Sequence, residues 1–107
     1  MLPGLNIGTA SGASADVTIT QAIADVCAKH PQTSHVVNGR FKGGYITRNY
    51  GTPAAQVHAV QLEMCQNLYM QETPPYAYDP ELARRIQPQL RAMLHAALHA
   101  CEVLYAV

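Results

Sequence analysis

At 107 residues the chain has room for one domain with a sizeable core and no room for two. Seven Lys and Arg balance seven Asp and Glu, so no net field draws it to nucleic acid or to an anionic membrane, and neither is expected as a partner. Hydrophobic residues make up an ordinary 49%, but charged residues only 13%, about half the usual share, which points to a face covered by a partner or by further chain.

Residues 1–14 are rich in Gly, Ser, Ala and Thr, with Leu5-Asn6-Ile7 as a very short strand. A helix follows, because Thr18 and Gln21 have capping-box spacing and Ile19, Ile23, Val26 and Cys27 fall on one helical face, up to Pro31. His35-Val36-Val37 reads as a buried strand, and a glycine loop comes next. Tyr45 to Arg48 is then expected as a second short strand before the turn at Gly51-Thr52-Pro53. Val57 to Met64 alternates, placing Gln61 and Glu63 on one side and Leu62 and Met64 on the other. After Pro74-Pro75, Asp79 caps a long helix with Pro80 in its first turn and Pro88 as a kink. Leu82, Ile86, Leu90, Leu94, Leu98 and Cys101 form its apolar stripe. Strands mixed with two helices predict an α/β fold with a partial mixed sheet.

The three cysteines, Cys27, Cys65 and Cys101, are odd in number and form no C-x-x-C pair. They read as small buried hydrophobes in a reducing compartment. The N-terminus has no basic region leading into an apolar run, and no stretch is long enough to span a membrane, so a soluble cytoplasmic protein is expected.

The residues that can carry chemistry lie between Asn38 and Glu63. Arg40, Lys42 and Arg48 sit among Gly39, Gly43 and Gly44, and no Asp or Glu occurs from Val26 to Leu62 to neutralise them. Glycines let a backbone approach a ligand closely, and an arginine fork grips a carboxylate with two parallel N–H donors. The plain alternative is a glycine hairpin with solvated basic side chains. Glu63 closes an apolar strand, where a carboxylate is either a general base in a cleft or the partner of Arg40 or Arg48. His95, His99 and Glu102 have metal-ligand spacing on the last helix, but a solvated helix face is the favoured reading. His58 reads as a satisfied core histidine, and His35, just before the loop, as a minor site candidate.

Taken together, Leu5-Asn6-Ile7-Gly8-Thr9 with Gly12-Ala13-Ser14, Asn38 through Arg48, Tyr50-Gly51, Pro53-Ala54, Val57 through Glu63, and Tyr69-Met70 before Glu72 resemble the C-terminal part of the N-formylglutamate amidohydrolase (N-formylglutamate deformylase) family. The likeness covers nearly the whole chain, with its motifs in order. It implies a fragment of a zinc-carboxypeptidase/aminoacylase-like (phosphorylase/hydrolase-like) fold. The implied reaction is hydrolysis of N-formyl-L-glutamate to L-glutamate and formate in histidine degradation, with a divalent metal, expected to be zinc. Glu63 corresponds to the strand-end general base and acid. Arg40, Lys42 and Arg48 would hold the substrate's carboxylates or polarise the oxyanion, with Asn38 as a further donor. Asn49 stands where the family pattern has a histidine.

The family's metal-binding motifs would precede Leu2, so residues 1–107 are expected to be the C-terminal portion of one domain. Met1 would then be an internal start, a truncated gene call or the edge of a fragment, and the chain alone is expected to be inactive. The alternatives are a non-catalytic small-carboxylate-binding or interaction module, and a homo-oligomer joined through the stripe from Leu82 to Leu104.

Overall fold

The computed structural model describes residues 1–106. Three short strands form one mixed sheet in the order β2-β1-β3, with β1 (Leu5–Gly8) at its centre. β2 (His35–Val37) runs parallel to β1, reached through α1 (Val17–Ala28), because a parallel partner needs a crossover. β3 (Gln61–Met64) lies antiparallel on the other side. A six-residue helix, α2 (Tyr45–Tyr50), and a 25-residue helix, α3 (Pro80–Leu104), complete the fold. It is a mixed α/β architecture, as the sequence predicts.

The register assigns the two faces. Leu5, Ile7, Leu62 and Met64 share one face, and Asn6, Gly8, Gln61 and Glu63 the other. On the first face α1 and α3 pack together over β1, burying Leu5, Ile7, Ile19, Ile23, Cys27, Met93 and Ala100 as one cluster. Each large member contributes about 1.5–3 kcal/mol by leaving water. Burial also pushes the Cys27 thiol up, so it is a packing residue rather than a nucleophile. Cys65 and Cys101 are only half-buried, against the expectation for all three.

Four local expectations are corrected. The segment at Tyr45 is helix α2 and not a strand: Thr47 bonds back to the Gly44 carbonyl, and the amides of Arg48 and Gly51 close the turns. The strand before Met64 is shorter than its alternation, beginning at Gln61, because Val57 instead pairs with Thr52 across a tight turn. The cap of α1 is Asp16, whose Oδ1 accepts from the Thr18 amide, rather than Thr18 itself. The α3 stripe is Ala83, Ile86, Gln89, Met93 and Ala100, while Leu94 and Leu98 are exposed. A strict four-residue period advances about 40° per step around a helix, so the late leucines rotate off the buried face. Pro88 lies within α3 and the helix runs on through it, while Asp79 caps its start as predicted.

His58 is half-buried and partnered on both ring nitrogens, in line with a satisfied histidine. Its Nδ1 accepts from the Asp16 amide, so the neutral ring carries its proton on Nε2 and donates to the Tyr105 hydroxyl. One side chain thereby joins the start of α1, the approach to β3 and the end of α3. No helix among the described residues is long and apolar enough to cross a membrane.

Candidate active site

The C-terminal ends of β1 and β2 and the start of β3 lie at the same edge of the sheet, since β3 runs the other way. The chain leaving β1 is strained there: Ala10 and Ser11 take left-handed backbone conformations (φ 51° and 57°), as does Asn38 (φ 52°) after β2. For non-glycine residues such conformations cost about 1–3 kcal/mol each and persist only where the surroundings hold them. Asn38 does the holding. Its Oδ1 accepts from the amides of Thr9 (2.8 Å) and Ser11 (3.3 Å), and its Nδ2 donates to Thr9 Oγ1 (2.8 Å). An asparagine expected among the substrate donors thus spends most of its amide on shaping the loop.

The glycine loop folds back across the end of β1. The Ala10 amide donates to the Lys42 carbonyl at 2.7 Å. A Cβ on Gly8 would stand 2.6 Å from the Lys42 carbonyl carbon, so only glycine lets the loop sit this low. Gly43 has φ +107° and lies against Thr47, again excluding a side chain. Gln61 then connects loop and strand: its Oε1 accepts from the Gly44 amide (2.9 Å), and its Nε2 donates to Glu63 Oε1 (3.1 Å). Sequence reasoning placed Gln61 beside Glu63 without a role. The alternation that put both on one face was the available signal, but the Gly44 contact exists only once the loop has folded.

Glu63 is exposed at the sheet edge and lines a cavity of about 270 Å³ with Asn6, Phe41 and Glu72 among others. It makes no ion pair with Arg40 or Arg48; among the described residues the one ion pair is Arg84–Glu81. Arg40 and Lys42 are exposed and without a carboxylate partner, while Arg48 reaches back from α2 to the Gly43 carbonyl (3.3 Å). The loop and α2 therefore carry three cations with no carboxylate partner among the described residues, and Gln61 ties the Gly44 backbone of that loop to Glu63. His35 pairs with Leu5 and shares its face of the sheet, opposite to that of Glu63, and so stands away from this constellation. Asn49 is exposed on α2.

A metal does not fit these residues. No group of three His, Cys, Asp or Glu side chains gathers among the described residues, and His95, His99 and Glu102 are exposed along α3 without converging.

The fold and this edge define an α/β protein with a cationic loop at the strand ends, tied through Gln61 to a carboxylate on the edge strand beside an open depression. Residues 1–70 match the sequence model of the N-formylglutamate amidohydrolase family, and the chain belongs to that family. It is 50% identical over 97 residues to an N-formylglutamate deformylase of Pseudomonas putida and 48% identical over 97 residues to one of Pseudomonas aeruginosa. Each match covers 91% of this chain and 36% of the relative, so the chain spans about a third of the curated relatives' length. The crystal structure of an N-formylglutamate amidohydrolase from Ralstonia eutropha superimposes on 99% of this chain and 36% of its own, with a TM-score of 0.74 at 20% identity. That likeness speaks for the fold.

Proposed function

We propose that this chain supplies the general base and the anion grip of an amidohydrolase that converts N-formyl-L-glutamate to L-glutamate and formate. The observation that carries the reading is the Gly44–Gln61–Glu63 chain of hydrogen bonds, which couples a carboxylate in no ion pair among the described residues to a loop bearing Arg40 and Lys42, with Arg48 on the helix that follows. The names of the Pseudomonas relatives give the substrate.

The chemistry follows from these side chains. Glu63 takes a proton from a water molecule whose oxygen adds to the formyl carbon. The charge that develops on the formyl oxygen is met by one of the loop cations, while the others hold the two carboxylates. As the C–N bond breaks, Glu63 returns the proton to the departing nitrogen, which leaves as the amine of glutamate, and the added oxygen stays with formate. The divalent metal implied by the resemblance enters none of these steps; within this proposal its ligands come from outside the described residues. The proposal carries with it a place in histidine degradation in the cytoplasm.

Glu63→Gln tests the proposal in the chain supplied with the N-terminal part of the Pseudomonas putida enzyme. Formate release should fall by about 10²–10⁴-fold with ligand affinity nearly kept, since a general base acts in the transition state. Turnover equal to that of the unsubstituted protein would remove Glu63 from the mechanism. Carboxylate binding with no formate released by either form would favour the non-catalytic binder.

A further inference from the structure

The face of the sheet that carries Leu62 and Met64 is only partly covered. α1 and α3 pack over β1 and cover β3 only in part, at Met64, leaving a groove of about 500 Å³ between β3 and α3. Its lining is apolar, from Ile7, Leu62 and Met64 on the sheet to Leu90, Leu94 and Leu98 on the helix. Leu94 is 74% exposed, Leu98 59% and Leu62 37%, an apolar patch of the kind that marks an interface. β3 is also an edge strand, so its outer backbone groups have no ladder partner within this sheet.

We propose that this groove is the docking surface for the N-terminal part of an N-formylglutamate amidohydrolase domain, which lays an apolar helix along Leu62, Leu94 and Leu98. Two observations choose that occupant over a second copy of this chain. The curated relatives and the solved neighbour are matched over only 36% of their length, so nearly two-thirds of each lies outside the matched part. The surface is also a concavity between helix and sheet: a two-fold pair of these chains would set groove against groove, whereas a helix from elsewhere fills it as one more layer on the sheet. The inference rests on family membership and not on the chemistry of Glu63, so a complex that forms but does not turn over leaves it standing.

The test is co-expression of the tagged chain with the part of the Pseudomonas putida deformylase that precedes the matched residues, beside the double variant Leu94→Glu, Leu98→Glu. The expected result is a 1:1 complex whose affinity the variant lowers at least tenfold, with the melting midpoint of the lone chain unchanged because both leucines are exposed in it. Equal retention by the variant, or no complex, overturns the proposal. So does a lone chain that sediments as a dimer and is made monomeric by the same variant, since the occupant is then a second copy. A single polypeptide joining the two parts frees the test from whether the first part folds alone. The variant must lower the melting midpoint of that fusion and not of the lone chain, and equal shifts in both overturn the docking surface.

Discussion

Gln61 is the residue on which the candidate site turns. Its amide is used at both ends, accepting from the Gly44 amide and donating to Glu63, so it fixes the distance between loop and base. Gln61→Leu keeps the strand position and removes both bonds. In the complemented protein it should lower the rate of formate release by about tenfold or more, because misplacement by an ångström costs on that order or beyond. The unfolding midpoint should move little, since Gln61 sits at the sheet edge. Steady-state rates beside a urea melt decide it; a large loss of stability with proportionate loss of rate would make Gln61 merely structural. Gly8→Ala probes the loop from below. Its new Cβ would meet the Lys42 carbonyl carbon at 2.6 Å, and backbone cannot yield cheaply, so destabilisation of about 1–3 kcal/mol is expected in a denaturant melt. The charged residues of the candidate site stood out in the sequence because an acid-free stretch containing three bases is visible in one dimension. Gln61 was given no role and Asn38 entered only through the family resemblance: the hydrogen bonds of a neutral amide show only through partners such as Gly44 and Thr9, which the fold brings near.

Among the elements, the two longest helices were legible and the short pieces between them were not. α1 and α3 carry enough apolar positions for the helical period to show, and Asp79-Pro80 marks a start by chemistry alone. α2 has six residues, with Thr47, Tyr45 and Ile46 favouring a strand by propensity. The loop overrides that preference, because Thr47 is buried and bonded to Gly44 only in the helical turn. The helix starts also set a pH dependence. The Leu82 amide bonded to Asp79, and the Thr18 amide bonded to Asp16, hold these carboxyls below the ordinary aspartate value of 3.8. A carboxylate with a lowered folded value adds stability that is fully present above 3.8 and is lost as the pH falls through the lower folded value. Asp79→Asn caps the helix without titrating. Circular-dichroism melts should show a shallower acid limb below pH 3.8 for this variant than for the unsubstituted chain; superimposable limbs would show that the cap does not contribute to the acid transition.

For the whole molecule, zero net charge hides a separation that governs what can bind. Seven bases and seven acids cancel in sum, yet Arg40, Lys42 and Arg48 fall within nine consecutive residues of the loop and α2, with no carboxylate paired to them among the described residues. A distant anion feels almost no attraction, while one already beside this stretch meets local positive charge. Salt distinguishes these regimes, because the screening length shrinks from about 8 Å at physiological ionic strength to about 3 Å at 1 M. Affinity for N-formyl-L-glutamate, measured by calorimetry on the complemented protein, should therefore fall several-fold between these salt concentrations. A neutral N-formyl amide should show no such slope. Changing Arg40 and Arg48 together to Gln should flatten the salt dependence of the acidic ligand toward that of the neutral one, with the melting midpoint unchanged because both side chains are exposed. A salt slope that survives the double substitution would locate the ligand's carboxylates away from this loop. It would then be the depression beside Phe41 and Glu63, rather than the cations, that holds the substrate.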